Sequence, residues 1–323
     1  MKNLTLSISI IILLFFASCK GKILNPTEAD RSMKILNSNL VNLLSTGSEK
    51  PEFKAIAFLL NLENSPLPIS KKTSTSKPDT SAYKFEKMTG IYTWNPETKE
   101  FDKSVNAETI ALHFPENNSG HNNANLILKQ YQSEAYSSRP DLPTLIDAAI
   151  RINDRQIATI KHEANITNNL PENIHTTIKG TDYEMAMMLK RTQMNTNGTL
   201  NINLYLKTKG YKVISGNTDA KIEYSRHGYF FKTINLNLEL IDHYVTGNIN
   251  YAAIDPTSAD YIDSFNSNAD IRLFEGRDQV GIIVLNKTND GELLDYFIRF
   301  SNGDEKLLSE YLPVLKNLLN LKY

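Results

Sequence analysis

The stretch TLNINLYLK, residues 199–207, alternates between two kinds of side chain after its first residue. The apolar set consists of Leu200, Ile202, Leu204 and Leu206. The stretch TINLNLEL, residues 233–240, repeats the alternation, with an apolar set of Ile234, Leu236, Leu238 and Leu240. A period of two places alternate side chains on opposite faces of an extended chain. Both stretches therefore predict strands of an antiparallel sheet that has one buried face and one face in water.

The same alternation continues through most of the chain after residue 83. Further strands are predicted in KFEKMTGIYTWN, ETIALHF, NANLILKQYQ, LIDAAIRIN, QIATIKHEANIT, NIHTTIKGTDYEMAMMLK, TGNINYAAI, NADIRLF, QVGIIVLN and LLDYFIRFS. Turns rich in Asn, Asp and Gly, such as RINDRQI, separate neighbouring strands as hairpins require. We predict a large antiparallel meander over residues 83–323. Because wide sheets twist and curl, we expect a curved sheet, up to a half-barrel, that encloses a cavity where a helix crosses it.

Residues near the N-terminus follow a helical period instead. Thr27 and Asp30 have the spacing of a capping box. Apolar residues then recur at helical intervals, at Met33, Leu36, Leu40, Val41 and Leu44. This pattern predicts one amphipathic helix. The segment FKAIAFLLNLEN, residues 53–64, is compatible with a second helix and with a buried strand, and its period does not decide between them.

The C-terminal residues predict a last helix. Asp304 is its predicted cap, and an apolar stripe follows at Leu308, Tyr311, Leu312, Leu315 and Leu319. Pro313 lies inside this segment and predicts a kink or a break. A large sheet with helices at both ends defines the α+β class. Between the N-terminal helical region and the sheet, residues 65–82 are rich in Pro, Ser, Thr and Lys and predict a flexible polar linker.

The first residues have the order of a secretory signal peptide. Lys2 supplies the positive start, residues 4–16 form an apolar core, and the small residues Ala17 and Ser18 follow. This apolar run is shorter than the roughly 20 residues that a helix needs to span a bilayer. We therefore predict that residues 1–18 are removed.

The tetrad Phe16-Ala17-Ser18-Cys19 resembles the lipobox of bacterial lipoproteins, although Phe16 stands where an aliphatic residue is usual. The resemblance implies that Cys19, the only cysteine, becomes the acylated N-terminus of the mature chain. Two or three acyl chains hold a protein on a membrane far more firmly than one. Residues 19–64 are thus predicted to be a lipidated N-terminus and helical region, anchored to the outer or inner membrane.

Composition and motifs argue against several classes of function. The chain carries 35 Lys and Arg against 36 Asp and Glu, so no basic excess favours a nucleic acid partner. It contains no HExxH, GxSxG, P-loop or GxGxxG motif, and its one cysteine is already used by the anchor. The 6 histidines lack the close spacing of metal ligands. We predict no cofactor, no metal site and no enzymatic activity.

Candidate ligand-binding residues lie on three predicted strands. One group alternates along a single strand and consists of Met185, Met187 and Leu189. Methionines suit an adaptable apolar pocket and also fill cores. His162 is in phase with apolar neighbours and is either a pocket residue or a boundary histidine with satisfied hydrogen bonds. Tyr92 and Trp94 are placed to stack on a sugar or to pack across strands.

Residues 84–167 resemble a set of uncharacterised lipoproteins of the Bacteroidota. The resemblance is carried by the segment MTGIYTWNPETKEFDKSVNAETIALHFP, residues 88–115, followed by NANLILKQYQ and LIDAAIRINDRQIATIKHEANIT. The positions that match their pattern are Gly90, Tyr92, Trp94, Asn95, Phe114 and Pro115. The resemblance implies lineage and compartment and brings no catalytic residues with it. Members of this lineage that reach the cell surface carry an acidic patch soon after the lipidated cysteine. CKGKIL lacks one, so a periplasm-facing protein of the cell envelope is predicted.

Three functions remain open from the sequence. The first is a non-catalytic, lipid-anchored envelope protein that binds an apolar or amphipathic ligand, such as a lipid, in the cavity of the curved sheet. The second is a structural or interaction lipoprotein that binds an envelope protein or a glycan. The third is a hydrolase whose acids or histidines meet only in the folded chain.

Overall fold

The computed structural model describes residues 21–48, 50–60, 66–67, 84–116, 121–136, 139–167, 170–225, 228–288 and 294–313. Their dominant element is one sheet of 16 strands. Helices are few, and they include one near the N-terminus and one near the C-terminus. The predicted α+β class with a large, mainly antiparallel sheet is confirmed. Cys19, the predicted signal peptide and most of the predicted linker at 65–82 lie outside the described residues.

The strands are numbered in chain order. Their bounds are β1 Gly90–Asn95, β2 Glu100–Val105, β3 Ile110–Phe114, β4 Ala124–Tyr136, β5 Arg139–Ile152, β6 Arg155–Thr167, β7 Leu170–Gly180, β8 Tyr183–Met194, β9 Asn197–Thr208, β10 Tyr211–Ser225, β11 Gly228–Leu240, β12 His243–Ile249, β13 Ala269–Glu275, β14 Asp278–Lys287, β15 Leu294–Arg299 and β16 Glu305–Leu307. The order across the sheet is β16 down to β3, then β1, then β2. Sequence neighbours are thus spatial neighbours almost throughout, as a meander requires.

The helices are shorter than the strands except at the N-terminus. Their bounds are α1 Pro26–Ser48, α2 Pro51–Leu60, α3 Phe85–Met88, α4 Tyr261–Asn268 and α5 Leu308–Tyr311. Among the described residues, no helix is both long enough and apolar enough to cross a membrane. Contacts divide the chain into two compact units, one formed by Val41–Ile234 and the other by Met1–Leu40 with Asn235–Tyr323.

Strands β1 to β3 make the sheet mixed rather than purely antiparallel. β2 forms a hairpin with β1, and β3 pairs with the other side of β1 in the parallel direction, from Gly90 opposite Ile110 to Thr93 opposite His113. Parallel neighbours need a crossover connection, and residues 96–109, which include β2, form that connection here. The alternation of side chains does not reveal this pairing because it is the same in parallel and antiparallel strands.

Helix α2 covers one end of the sheet in the unit of residues 41–234. The segment FKAIAFLLNLEN, for which the sequence left a helix and a buried strand open, is helical through Leu60. The Phe58 ring stacks on Phe114 with centroids 5.5 Å apart and meets Trp94 edge-on at 5.3 Å. Ala55 and Leu59 are buried in the same cluster. Leu67, one of the two described residues of the predicted linker, is also buried there.

Strand β10 lies in a region where the sequence predicted no strand. Its segment YKVISGNTDAKIEYS contains the polar run Asn217-Thr218-Asp219 and Gly216, which hide the alternation. Pairing with β9 along almost its whole length makes it a strand nevertheless. NIHTTIKGTDYEMAMMLK, predicted as one strand, is the β7–β8 hairpin. The turn predicted in RINDRQI is confirmed, because Asn153 and Asp154 both have positive φ, as a tight hairpin turn requires.

Helix α1 begins earlier than its predicted capping box. The Glu28 backbone N–H donates to Asn25 Oδ1 at 3.0 Å, and the Asn25 backbone N–H donates to Glu28 Oε2 at 3.3 Å. This reciprocal pair is the capping box, and Pro26 occupies the first helical position, where its missing N–H costs nothing. The predicted box of Thr27 and Asp30 is wrong, because the turn that satisfies the first N–H groups lies two residues upstream.

The predicted cap of the last helix is also wrong. Asp304 lies in the turn before β16, where its carbonyl oxygen accepts the Phe300 N–H at 2.9 Å. Residues 305–307 then pair with β15, and α5 begins only at Leu308. Strand pairing delays the helix because it satisfies main-chain groups that a helix start would leave open. Helix α5 ends before Pro313, which agrees with the predicted break.

Candidate binding faces of the sheet

The strand registers sort the side chains of β8 and β9 onto two faces. Met185 lies opposite Leu206, Met187 opposite Leu204, and Leu189 opposite Ile202. These six residues form one apolar surface, which we call the methionine face. The intervening residues of both strands point to the other face, which is mainly polar. The predicted grouping of Met185, Met187 and Leu189 on one face thus holds in the structure.

The methionine face is open to solvent at its centre. Met185 and Met187 are each 42% exposed, and Leu204 is 39% exposed. Single exposed apolar side chains are common on protein surfaces, but neighbouring ones on adjacent strands form a patch. Ile178 of β7 and Ile214 of β10 lie opposite Met185 and Leu206 and extend the patch sideways.

Buried clusters lie on both sides of this patch. The cluster under α2 reaches across the sheet as far as Ile160 on β6. A second cluster contains buried Leu200, Ala220 and Ile222, with Leu189 packed against it. The open part of the methionine face therefore lies between the region that α2 covers and the region that β9 and β10 bury by their own side chains.

His162 borders the methionine face with both ring nitrogens in use. Its Nδ1 lies 2.8 Å from Thr176 Oγ1, and its Nε2 lies 3.0 Å from the Pro143 carbonyl oxygen. Since the carbonyl only accepts, Nε2 carries the proton and Nδ1 accepts from the threonine hydroxyl. Thr176 lies between His162 and Met187 in one cross-strand row. His162 is thus a half-buried histidine at the edge of the methionine face, and both of its ring nitrogens have hydrogen-bond partners.

Tyr92 and Trp94 lie apart from these residues. Both are buried in the cluster under α2. Trp94 packs edge-on against Phe101 of β2 at 5.3 Å, and the Tyr92 hydroxyl donates to the Met88 carbonyl at 2.6 Å. Burial raises the pKa of Tyr92. Of the two interpretations left open by the sequence, the structure shows cross-strand packing for this pair.

Arg191 is a buried residue of β8 that sequence reasoning missed. Its side chain is on the same face as Leu189, two residues further along the strand, and the residue is 4% exposed. The guanidinium donates to Pro171 O at 2.7 Å, Thr167 O at 3.0 Å and Leu170 O at 3.2 Å, and to the Tyr224 hydroxyl at 2.7 Å. It thereby ties the β6–β7 turn to β8. Arg191 continues the alternation of Met185, Met187 and Leu189 along β8, and this position is the feature of the sequence that could have identified it.

A buried serine–histidine pair lies in the unit of residues 1–40 and 235–323. Ser32 Oγ and His243 Nε2 are 2.8 Å apart, and the two residues are 1% and 2% exposed. Burial lowers the pKa of His243, although Glu275 and Asp242 act in the opposite direction. Neither side chain is accessible to a substrate here. The pair therefore joins α1 to β12 as a structural contact.

A small cleft of about 270 Å³ in the same unit surrounds Asp30. The carboxylate contacts the Lys34 ammonium at 2.6 Å and the Lys306 ammonium at 2.9 Å, and it accepts a hydrogen bond from the Tyr311 hydroxyl. These donors hold the pKa of Asp30 well below its usual range. The carboxylate is already neutralised by its own neighbours. No cluster of three or more His, Cys, Asp or Glu side chains suited to a metal ion occurs in the described part of the chain.

Comparison with known proteins yields no match to a family model, to a curated protein or to a solved structure.

Proposed function

We propose that this chain is a lipid-anchored, periplasm-facing protein of the bacterial cell envelope that binds the apolar part of an amphipathic ligand on the methionine face, without catalysis. The observation that carries the proposal is the exposure of Met185, Met187 and Leu204 side by side on adjacent strands. The anchor rests on the lipobox-like sequence at Cys19 and the lineage on the resemblance of residues 84–167.

The chemistry of the methionine face suits an acyl chain. Methionine has three rotatable side-chain bonds and a polarizable sulfur, so it adapts to apolar partners of variable shape. Burying one methylene group of a ligand contributes about 0.8 kcal/mol, and an acyl chain offers many of them. A lipid anchor at Cys19 would keep the protein beside a membrane, where such chains are abundant. An acyl chain is therefore the occupant that we propose.

Rows of paired side chains give the bound chain a direction. Ile178, Met185, Leu206 and Ile214 form one row across β7 to β10. The next row contains Thr176, Met187, Leu204 and Gly216, whose end members are small or lack a side chain. With strands about 4.8 Å apart, each row extends over roughly 14 Å. The short side chain of Thr176 and the missing side chain of Gly216, at the two ends of the second row, leave space for an acyl chain to lie across the strands.

Native mass spectrometry tests this function directly. The mature chain with Cys19→Ser would be purified from a bacterial envelope without detergent and compared with its denatured mass. We expect a released lipid in stoichiometric amount. We also expect the double variant Met185→Gln with Met187→Gln to lose the bound lipid. Two side-chain amides would then replace thioethers, and burying polar amides against an acyl chain is unfavourable.

Met194→Gln is the matched control, because Met194 is on the same strand, is 77% exposed and lies outside the methionine face. This variant should retain the lipid. Bare protein in both the parent and the control would count against lipid binding. It would favour the second function, an interaction lipoprotein, whose partner would be sought by crosslinking through the exposed aromatic residues Tyr211 and Phe230.

A further inference from the structure

The polar face of β6 to β9 contains a groove of about 430 Å³, opposite the methionine face. This volume falls within the range of roughly 300 to 1,000 Å³ that is usual for ligand pockets. All of its lining residues belong to the unit of residues 41–234. The proposed function above makes no use of this groove.

Two adjacent cross-strand rows of side chains line the groove. The first row consists of Glu163, His175, Met188 and Asn203. The second row consists of Asn165, Asn173, Lys190 and Asn201. Ala164, Ile174 and Leu189 lie between the rows along the strands and point to the opposite face, so they contribute main chain to the floor. We call this site the polar groove.

Hydrogen bonds hold the asparagines on one side of the polar groove. Asn217 Nδ2 donates to Asn203 Oδ1 at 2.8 Å, and Asn203 Nδ2 donates to Asn201 Oδ1 at 2.6 Å. Asn201 Nδ2 in turn donates to Asp219 Oδ1. Each side-chain amide has two N–H donors, so Asn201 and Asn203 both keep one for a ligand. These donors are oriented before a ligand arrives, which lowers the entropic cost of binding.

The other side of the polar groove offers free polar groups. Within the described ranges, the side chains of Asn165, Asn173, His175 and Lys190 make no hydrogen bond to the protein. Glu163 and Lys190 carry opposite charges, so the site has no strong preference for an anion or a cation. Met188, which is 39% exposed, adds one apolar contact among the polar groups.

This combination favours a ligand with many neutral hydroxyl groups. A hydroxyl both donates and accepts, so it can bind amides, an imidazole, a carboxylate and an ammonium in turn. A peptide strand would need a free sheet edge, and the main chains of β6 to β9 are already paired on both sides. A nucleic acid would need an excess of Lys and Arg, which the polar groove lacks.

We propose that the polar groove binds a neutral saccharide, with Asn201 and Asn203 donating to its hydroxyl groups and Met188 contacting its C–H surface. The site is separate from the methionine face and does not depend on lipid binding. A protein with both sites would hold an apolar ligand on one side of the sheet and a glycan on the other.

Isothermal titration calorimetry tests the proposal with lipidated mature protein in a detergent that has no sugar headgroup. The probes are neutral oligosaccharides, namely N,N′-diacetylchitobiose, maltotriose and cellotriose. We expect one of them to bind. We expect Asn203→Ala and Asn201→Ala each to weaken it by about 10-fold, since each removes a ligand hydrogen bond and breaks the amide chain.

Asn237→Ala is the matched control, because Asn237 is an exposed asparagine on β11 outside the polar groove. It should leave the affinity unchanged. Circular dichroism of each variant checks that the sheet is intact. Failure of all three saccharides to bind would overturn the proposal, and so would binding that Asn201→Ala and Asn203→Ala leave intact. Neither result would bear on the lipid measurement, which uses the opposite face.

Discussion

His243 and Ser32 show how a buried polar residue makes the stability of this chain depend on pH. Burial disfavours the charged form of the imidazole and so lowers the pKa of His243 in the folded state. Its ring Nε2 is in hydrogen-bond contact with the buried Ser32 hydroxyl. The carboxylates of Glu275 and Asp242 favour protonation, yet burial is the larger effect.

Acidification should therefore weaken this protein through His243. The folded-state pKa is lowered, so the unfolded chain takes up the proton first, near about pH 6.5. The stabilising contribution is complete above that pH and is lost as the pH falls towards the folded-state pKa. We expect the urea midpoint to decrease from about pH 7 to about pH 5. His243→Gln should show a smaller decrease, and an equal decrease in both proteins would contradict the assignment.

Single residues also show which parts of the site the sequence could reveal. Met185 and Met187 lie on one face because the period of a strand is local, and the sequence states that period directly. Arg191 follows the same period, but its role depends on carbonyls of the β6–β7 turn and on Tyr224 of β10. Those groups come from three strands, and no local pattern identifies them.

At the scale of elements, the start of α1 distinguishes a sequence motif from a working cap. Two overlapping candidates have suitable residues three positions apart, and only Asn25 with Glu28 forms reciprocal hydrogen bonds. The spacing alone did not separate them. Pro26 is the residue that favours the upstream start, since proline is preferred at the first helical position.

Asn25→Ala should lower the free energy of unfolding by about 1 kcal/mol, the usual cost of losing a helix cap. Thr27→Ala, two residues away at an exposed position, should change it much less. Urea unfolding followed by circular dichroism measures both variants. A larger loss for Thr27→Ala than for Asn25→Ala would restore the downstream box.

Where the local sequence pattern is weak, pairing with a neighbouring strand determines the secondary structure of the segment. Strand β10 pairs with β9 despite its polar centre, and residues 305–307 join β15 despite lying where a helix was predicted. In both places the unpaired edge of an existing strand offers a complete row of main-chain partners. Pairing with it outweighs the local preference of the added segment.

At the scale of the whole molecule, the proposed lipid anchor at Cys19 would hold the protein at a membrane surface, where it would encounter its ligand. Cys19→Ser should leave the chain in the aqueous phase after detergent phase separation, whereas the parent protein should enter the detergent phase. The intact mass of the parent should exceed that of residues 19–323 by the mass of its acyl chains. A parent protein that stays in the aqueous phase at its unmodified mass would exclude the lipid anchor.

The sequence by itself determined most of the strands, their two faces and the α+β class, because alternation and helical spacing are local and repeat over many residues. It did not reveal β10, whose polar centre hides the alternation. Tertiary structure alone decided which part of the apolar face stays open. Helix α2 buries the region around Trp94, while Met185, Met187 and Leu204 remain exposed although their local pattern is the same. It also brought the asparagines of β9 and the polar residues of β6 and β7 into one groove. Register between strands places side chains together, and register depends on contacts that are distant in the chain.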